Sequence, residues 1–253
     1  MANEAEMTLF DHIKELRQRL LRVVIVCIVM AGVSAATVVN YAIEWLRKPL
    51  NGLQNVELIQ TSPTESTIIY FKVALVLGFG LALPYILYQI YSFIAPGLYR
   101  QERQIFLTGI PLVMIFFAAG AAFTVEVLLP PSMNVLLNVF VEQNIVNRLS
   151  LAEYLSFINT LILWMGLIFQ TPLVIYVIAR LGFVTPQVLT KGRRMVILLA
   201  FVAAAIITPT ADPFTMLLVT APFIVLFEIG ILLARLAARQ RARQMATLEE
   251  ELE

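Results

Sequence analysis

Residues His12–Tyr41 read HIKELRQRLLRVVIVCIVMAGVSAATVVNY. Four cations, Lys14, Arg17, Arg19 and Arg22, lead into an apolar stretch, Leu20–Tyr41, long enough to cross the hydrocarbon core of a bilayer. Further apolar runs follow at Ile68–Ile94, Ile105–Leu129, Leu155–Ala179, Met195–Ile207 and Phe214–Leu233. Fourteen of the eighteen Lys and Arg residues lie in every second gap: after the first four come Arg100 and Arg103, then Arg180, Lys191, Arg193 and Arg194, and finally Arg235, Arg239, Arg241 and Arg243. The other gaps hold Arg47, Lys48 and Arg148, with Lys72 at the edge of the second run. Because Lys and Arg resist translocation, the basic gaps are expected in the cytoplasm. The pattern predicts an all-α polytopic membrane protein with six transmembrane helices and both termini cytoplasmic.

Composition agrees. A chain of 253 residues that is 60% hydrophobic, with mean hydropathy +0.84, cannot hide that much apolar surface in one soluble core. The runs are continuously apolar rather than alternating, which excludes a barrel. One integral membrane domain is expected over 1–253. It comprises a cytoplasmic amphipathic helix over 1–19, six spans within 20–233 with outer caps over 42–67 and 130–154, and a cytoplasmic tail over 234–253. The first run is full length and follows a charged amphipathic helix, so it is expected to be retained rather than cleaved. The tail turns from basic to acidic (Glu249, Glu250, Glu251, Glu253), the pattern of a solvated, fraying helix.

Pro84, Pro111, Pro172 and Pro222 lie inside the second, third, fourth and sixth runs. Each removes a backbone donor, which fits either ordinary membrane kinks repaired by neighbours or a concave wall of kinked helices. Ala118–Ala122, with Gly120 at its centre, would admit a neighbouring backbone. The fifth run is too short to span, and Glu228 interrupts the sixth, so both spans are expected to be short. The bilayer thins there, a partner covers the gap, or tilted neighbours bury it. Two outer segments, around Trp45–Val56 and Met133–Val141, carry half-buried apolar faces and read as caps.

Chemistry concentrates at the inner surface. At 100° per residue, Leu9, Ile13, Leu16 and Leu20 share one helical face and Asp11, Glu15, Gln18, Arg19 and Arg22 the opposite one. Glu15 is thereby expected to meet water or a polar ligand, or to pair with Arg19 four residues on. In the first inner turn, Pro96 and Gly97 end one span and Glu102 begins the next; an acid there either favours the helix N-terminus or binds a ligand. His12 and Cys27 are the only residues of their kinds, and no nucleotide-binding glycine pattern occurs, so no enzyme, cofactor, metal or disulfide is indicated.

His12-Ile13-Lys14-Glu15-Leu16-Arg17-Gln18-Arg19, Phe93…Pro96-Gly97-Leu98…Glu102, Thr208-Pro209…Asp212 and Phe227-Glu228-Ile229-Gly230 together resemble the TatC family, the large subunit of the Sec-independent, twin-arginine protein translocase. The resemblance spans roughly 8–235, in order. It implies a receptor in the cytoplasmic membrane that binds the twin-arginine signal peptides of folded precursors for export driven by the proton-motive force. Glu15 and Glu102 match the acidic positions that read the arginines, with Arg17, Arg19, Pro96, Leu98 and Tyr99 beside them. It also implies single-span partners of the TatA and TatB type, a homo-oligomer within the receptor complex, and contact with membrane lipid; nucleic acid is not among the partners. Gln170, Asp212, Met216, Glu228 and Gln89 form the intramembrane polar and partner-docking group. Here Gln170 stands where the family often carries glutamate, and Met216 where a polar residue is common. Glu228 is either neutralised by a neighbour or exposed to a polar concavity. The alternative class is a secondary transporter for a small solute, with Gln89, Asn159, Gln170 and Glu228 lining its cavity.

Overall fold

The computed structural model describes residues 9–52, 56–94, 100–139, 147–208 and 212–250. Helix α1 (Leu9–Thr37) joins the amphipathic segment to the first apolar run without a break. Its Ile13, Leu16 and Leu20 face is exposed, and the exposed apolar stripe continues through Ile25, Ile28 and Val29. The opposite face packs on α3 (Glu65–Ile94), where a Cβ on Gly78 would lie 2.4 Å from the Cα of Ala31. Ser34 Oγ, fully buried, lies 2.8 Å from Ala74 O across the same seam and 2.9 Å from Ala31 O in its own helix, so the hydroxyl is satisfied. Small residues thus bring the two backbones together, as expected where hydrocarbon supplies no drive for helix association.

After α1, α2 (Val39–Arg47) and a 3-10 turn (Lys48–Gly52) lead to strand β1 (Val56–Ile59). Strand β1 pairs in parallel with β2 (Asn147–Ser150), Val56 opposite Asn147 and Ile59 opposite Ser150. The chain is mostly helical, as expected, and this small two-stranded sheet is an addition to that fold. Its anchor is Glu65, 5% exposed, at the start of α3. The carboxylate accepts from the Thr61, Ser62 and Ala152 amides at 2.7, 3.3 and 3.0 Å and from the Ser150 hydroxyl. One acid therefore satisfies donors from two segments far apart in sequence and ties the two strand-bearing segments together. Leu46 and Leu50 are buried in the cap as expected, while Leu53, Phe140 and Val141 lie outside the described residues.

Helix α4 (Arg100–Phe123) does not end the third run at Pro130-Pro131. It continues through a π-helical turn (Thr124–Leu128), α5 (Leu129–Asn134) and a second π turn (Val135–Val139). The prolines sit in the first turn of α5, and the wide turn before them absorbs the missing donors. Gly120 lies against the Met165 carbonyl and Gly166 of α6 (Leu151–Ile168), so the close approach expected at 118–122 occurs there.

The fourth run is broken into α6 and α7 (Thr171–Arg180), followed by short α8 (Pro186–Lys191), α9 (Arg193–Ile207) and long α10 (Pro213–Glu250). Among the described residues five segments are long and apolar enough to cross a membrane: Ile13–Thr37, Glu65–Phe93, Gly109–Leu137, Leu151–Arg180 and Pro213–Gln240. At 15 residues, α9 is the short helix expected for the fifth run. The sixth run is not short: α10 carries an apolar length through Glu228 and beyond Arg235. It packs on α7, where Ile175 and Ala179 meet Phe227, Ile231, Ala234 and Ala237.

Candidate functional site

Glu15 sits on the α1 face turned toward the end of α3, with its side chain 25% exposed and that of Arg19 18% exposed. Of the alternatives expected for Glu15, the pair with Arg19 is the one formed, and the carboxylate is only partly presented to water. The cause is Arg19, one helical turn on, which draws the carboxylate against α3. Arg19 Nε donates to Glu15 Oε1 at 2.9 Å, and its Nη2 reaches the same oxygen. Glu15 Oε2 has no partner among the described residues. The guanidinium is held from the other side by Ser92 O at 3.0 Å and Gln89 Oε1 at 3.3 Å. Gln89 Nε2 in turn donates to Tyr85 Oη at 2.7 Å.

Gln89, within the apolar length of α3, thereby joins the polar cluster around Glu15. The signal lay in the spacing Tyr85, Gln89, Ser92, a polar stripe on one face of α3. Arg17 is exposed and forms no ion pair with a described residue. Glu102 lies in the first turn of α4, but its side chain, together with Pro96, Leu98 and Tyr99, lies outside the described residues.

Gln170 is 8% exposed at the break between α6 and α7. The Gln170 amide bonds Leu167 O at 3.0 Å, tightening the turn and leaving Gly166 O without its usual i+4 donor. The side-chain Nε2 replaces that donor at 3.2 Å and reaches Val113 O on α4 at the same distance. A neutral amide thus repairs a proline-broken span and ties it to its neighbour. Its Oε1 is buried with no partner among the described residues.

The last hairpin uses its polar residues separately. Asp212 Oδ1 accepts from the Thr215 amide at 2.7 Å, an N-cap for α10. Met216 is half-buried and packs against the cluster that holds Leu128, Leu161 and Met165. Glu228 is neutralised by Arg193 in the first turn of α9, at 2.7 Å.

Three helix pairs therefore carry three distinct polar contacts: Glu15–Arg19–Gln89, Gln170–Val113 and Glu228–Arg193. The family model described as Sec-independent protein translocase protein (TatC) matches residues 11–222. The chain belongs to the TatC family. TatC of Aquifex aeolicus (strain VF5) is 37% identical over 237 residues, 93% of this chain and 98% of its own length. TatCy of Bacillus subtilis (strain 168) is 33% identical over 241 residues, covering 95% and 94%. A crystal structure of the twin-arginine translocase receptor TatC superposes with TM-score 0.78 at 37% identity, over 89% of this chain and 99% of that one. As a TatC the chain is a multi-pass membrane subunit of the Sec-independent protein translocase, a transport component and not an enzyme.

Proposed function

We propose that this TatC is the signal-peptide receptor and core subunit of the translocase. It lies in the cytoplasmic membrane with six spans and both termini inside, and passes folded precursors outward at the expense of the proton-motive force. Glu15, with Glu102 from the next segment, binds the two consecutive arginines. TatA- and TatB-type single-span subunits and further copies of the chain complete the complex, one partner docking on the short α9 hairpin.

The observation that carries this reading is the Glu15 carboxylate, mostly buried beside α3 with Oε2 unpartnered among the described residues. A guanidinium makes charge-assisted bonds to such a group in a geometry that an ammonium does not reproduce. Removal from bulk water strengthens each contact. The solute-transporter alternative draws no support: Gln89, Gln170 and Glu228 each bond a different helix pair.

The test is capture of a photo-reactive twin-arginine peptide by membranes carrying Glu15→Ala or Glu102→Ala. Each substitution is expected to abolish most cross-linking, while a twin-lysine peptide is captured poorly by the parent chain. Undiminished capture by both variants discards the assignment.

A further inference from the structure

A cleft of about 660 Å³ opens where α8 lies against α10, far along the chain from Glu15. Its wall carries Lys191 from α8 and Arg235 and Arg239 from α10, and Thr185, Gln187 and Ala238 also line it. The cleft exists because two features turn the chain back after α7. Gly182 adopts φ 81°, a left-handed conformation that favours glycine, and Arg180 Nη1 donates to Ala237 O at 3.4 Å. Arg235 and Arg239, four residues apart, share one face of α10 and look onto the same space as Lys191.

All three cations are exposed, none forms an ion pair with a described residue, and no acid lines the cleft. Among the other basic groups nearby, Arg193 is engaged by Glu228 and Arg180 by the α10 backbone, while Arg194 is exposed and does not line the cleft. Apolar side chains stand exposed on the same two elements, Val188 at 61%, Leu232 at 56% and Leu236 at 51%. Unneutralised cations on the same two helices as exposed hydrocarbon-compatible side chains match one kind of molecule, an anionic amphiphile with its phosphate in the cleft and acyl chains along α10.

We propose that this cleft is a binding site for an anionic glycerophospholipid, with a two-phosphate headgroup favoured over a single phosphate. Lys191, Arg235 and Arg239 hold the phosphates, and the Thr185 hydroxyl and Gln187 amide donate to the remaining oxygens. Bound there, the lipid ties the turn before α9 to α10 and so steadies the base of the short fifth span. The site is separate from the Glu15 region and does not rest on the signal-peptide reading.

The full chain, purified in mild detergent, is offered cardiolipin, phosphatidylglycerol or phosphatidylcholine, and retained lipid is counted by native mass spectrometry. The expected order is cardiolipin, then phosphatidylglycerol, then phosphatidylcholine. Each cation near a charged lipid surface is worth about fivefold in affinity, so Lys191→Gln, Arg235→Gln and Arg239→Gln together should lower cardiolipin retention on the order of a hundredfold. Removing three exposed cations elsewhere (Lys14→Gln, Arg22→Gln, Lys48→Gln) should change it by no more than about twofold. The single Arg239→Gln variant, expected to lose about fivefold, serves if the triple variant does not fold. Equal losses in the two triple variants, or equal retention of the neutral lipid, would overturn the site. Displacement of cardiolipin by inorganic phosphate at matched concentration would reassign the cleft to a soluble anion and overturn the lipid claim.

Discussion

Arg19 occupies the carboxylate that a twin-arginine ligand needs. Both of its contacts fall on Glu15 Oε1, so a ligand guanidinium can fork across both carboxylate oxygens only if Arg19 yields one. With Arg19 present the pair is also neutral, which removes most long-range attraction for a cationic peptide. Replacing Arg19 by Gln frees the oxygen and leaves one net negative charge. A charge-assisted hydrogen bond contributes about 1.5–3 kcal/mol, and an exposed i,i+4 pair only about 0.3–0.5 kcal/mol. At 18% and 25% side-chain exposure this pair lies between those limits, and about 1.5 kcal/mol is a fair working value. Arg19→Gln should therefore tighten binding of a twin-arginine peptide roughly tenfold. Fluorescence anisotropy of a labelled peptide against the chain in nanodiscs reads the change. Arg19→Lys, which keeps the charge, should stay near the parent value, and the salt dependence should steepen only in the Gln variant. The seam between α1 and α3 retains its Ser34–Ala74 bond and its close packing at Gly78, so the variant should remain folded. Equal or weaker peptide binding by a folded Arg19→Gln chain would refute the competition argument and make Arg19 a residue that orients Glu15.

Gly78→Val places a side chain into the backbone of α1 and should lower stability by about 2–3 kcal/mol, whereas Gly32→Ala, with open space around it, should be nearly silent in the same thermal melts. Glu228 and Arg193 are 42% and 41% exposed, so a double-mutant cycle with Gln at each position should give a coupling below about 1 kcal/mol in denaturation experiments. Gln170→Leu removes two neutral hydrogen bonds together with one unsatisfied acceptor, for a net loss of about 1 kcal/mol; Gln170→Glu should destabilise more at neutral pH, because it turns an acceptor toward the Val113 and Gly166 carbonyls. A melt in which the Glu variant is the more stable of the two would contradict that reading.

Hydropathy and helical spacing made the spans and the Glu15–Arg19 pair legible, because both are local properties of one helix. What they left open was which alternative a polar residue takes, since that depends on the neighbour. Whether Glu15 pairs or stays free is decided by Ser92 and Gln89, which hold Arg19 from a helix seventy residues away. The contact between Gln89 and Arg19 was not legible for the same reason. Glu228 looked like the end of an apolar run while counted as a lone charge; Arg193, 35 residues earlier, cancels it and lets α10 continue. The parallel strands are four residues each and too short to show a period, so only Glu65 bridging their flanks reveals them.

A common physical rule runs through these cases. In an apolar helix each polar side chain must find a partner: the described hydroxyls mostly turn to a carbonyl of their own helix, whereas Arg19, Lys72, Gln170 and Arg193 reach another helix. Three of the four prolines lie within helices that run on past them, while Pro172 coincides with a break that Gln170 repairs from its own side chain. The exposed cations of the α8–α10 cleft stand out because they follow no such rule. Among the described residues no acid lines that cleft and Glu228 is committed to Arg193, which is why the cleft suits an anion from outside the polypeptide. The same reasoning sets Glu15 apart from Glu65 and Glu228. Glu65 spends both carboxylate oxygens on the chain's own donors, and Glu228 faces an arginine of its own, whereas Glu15 keeps one oxygen without a partner among the described residues, beside a guanidinium that a stronger ligand can replace.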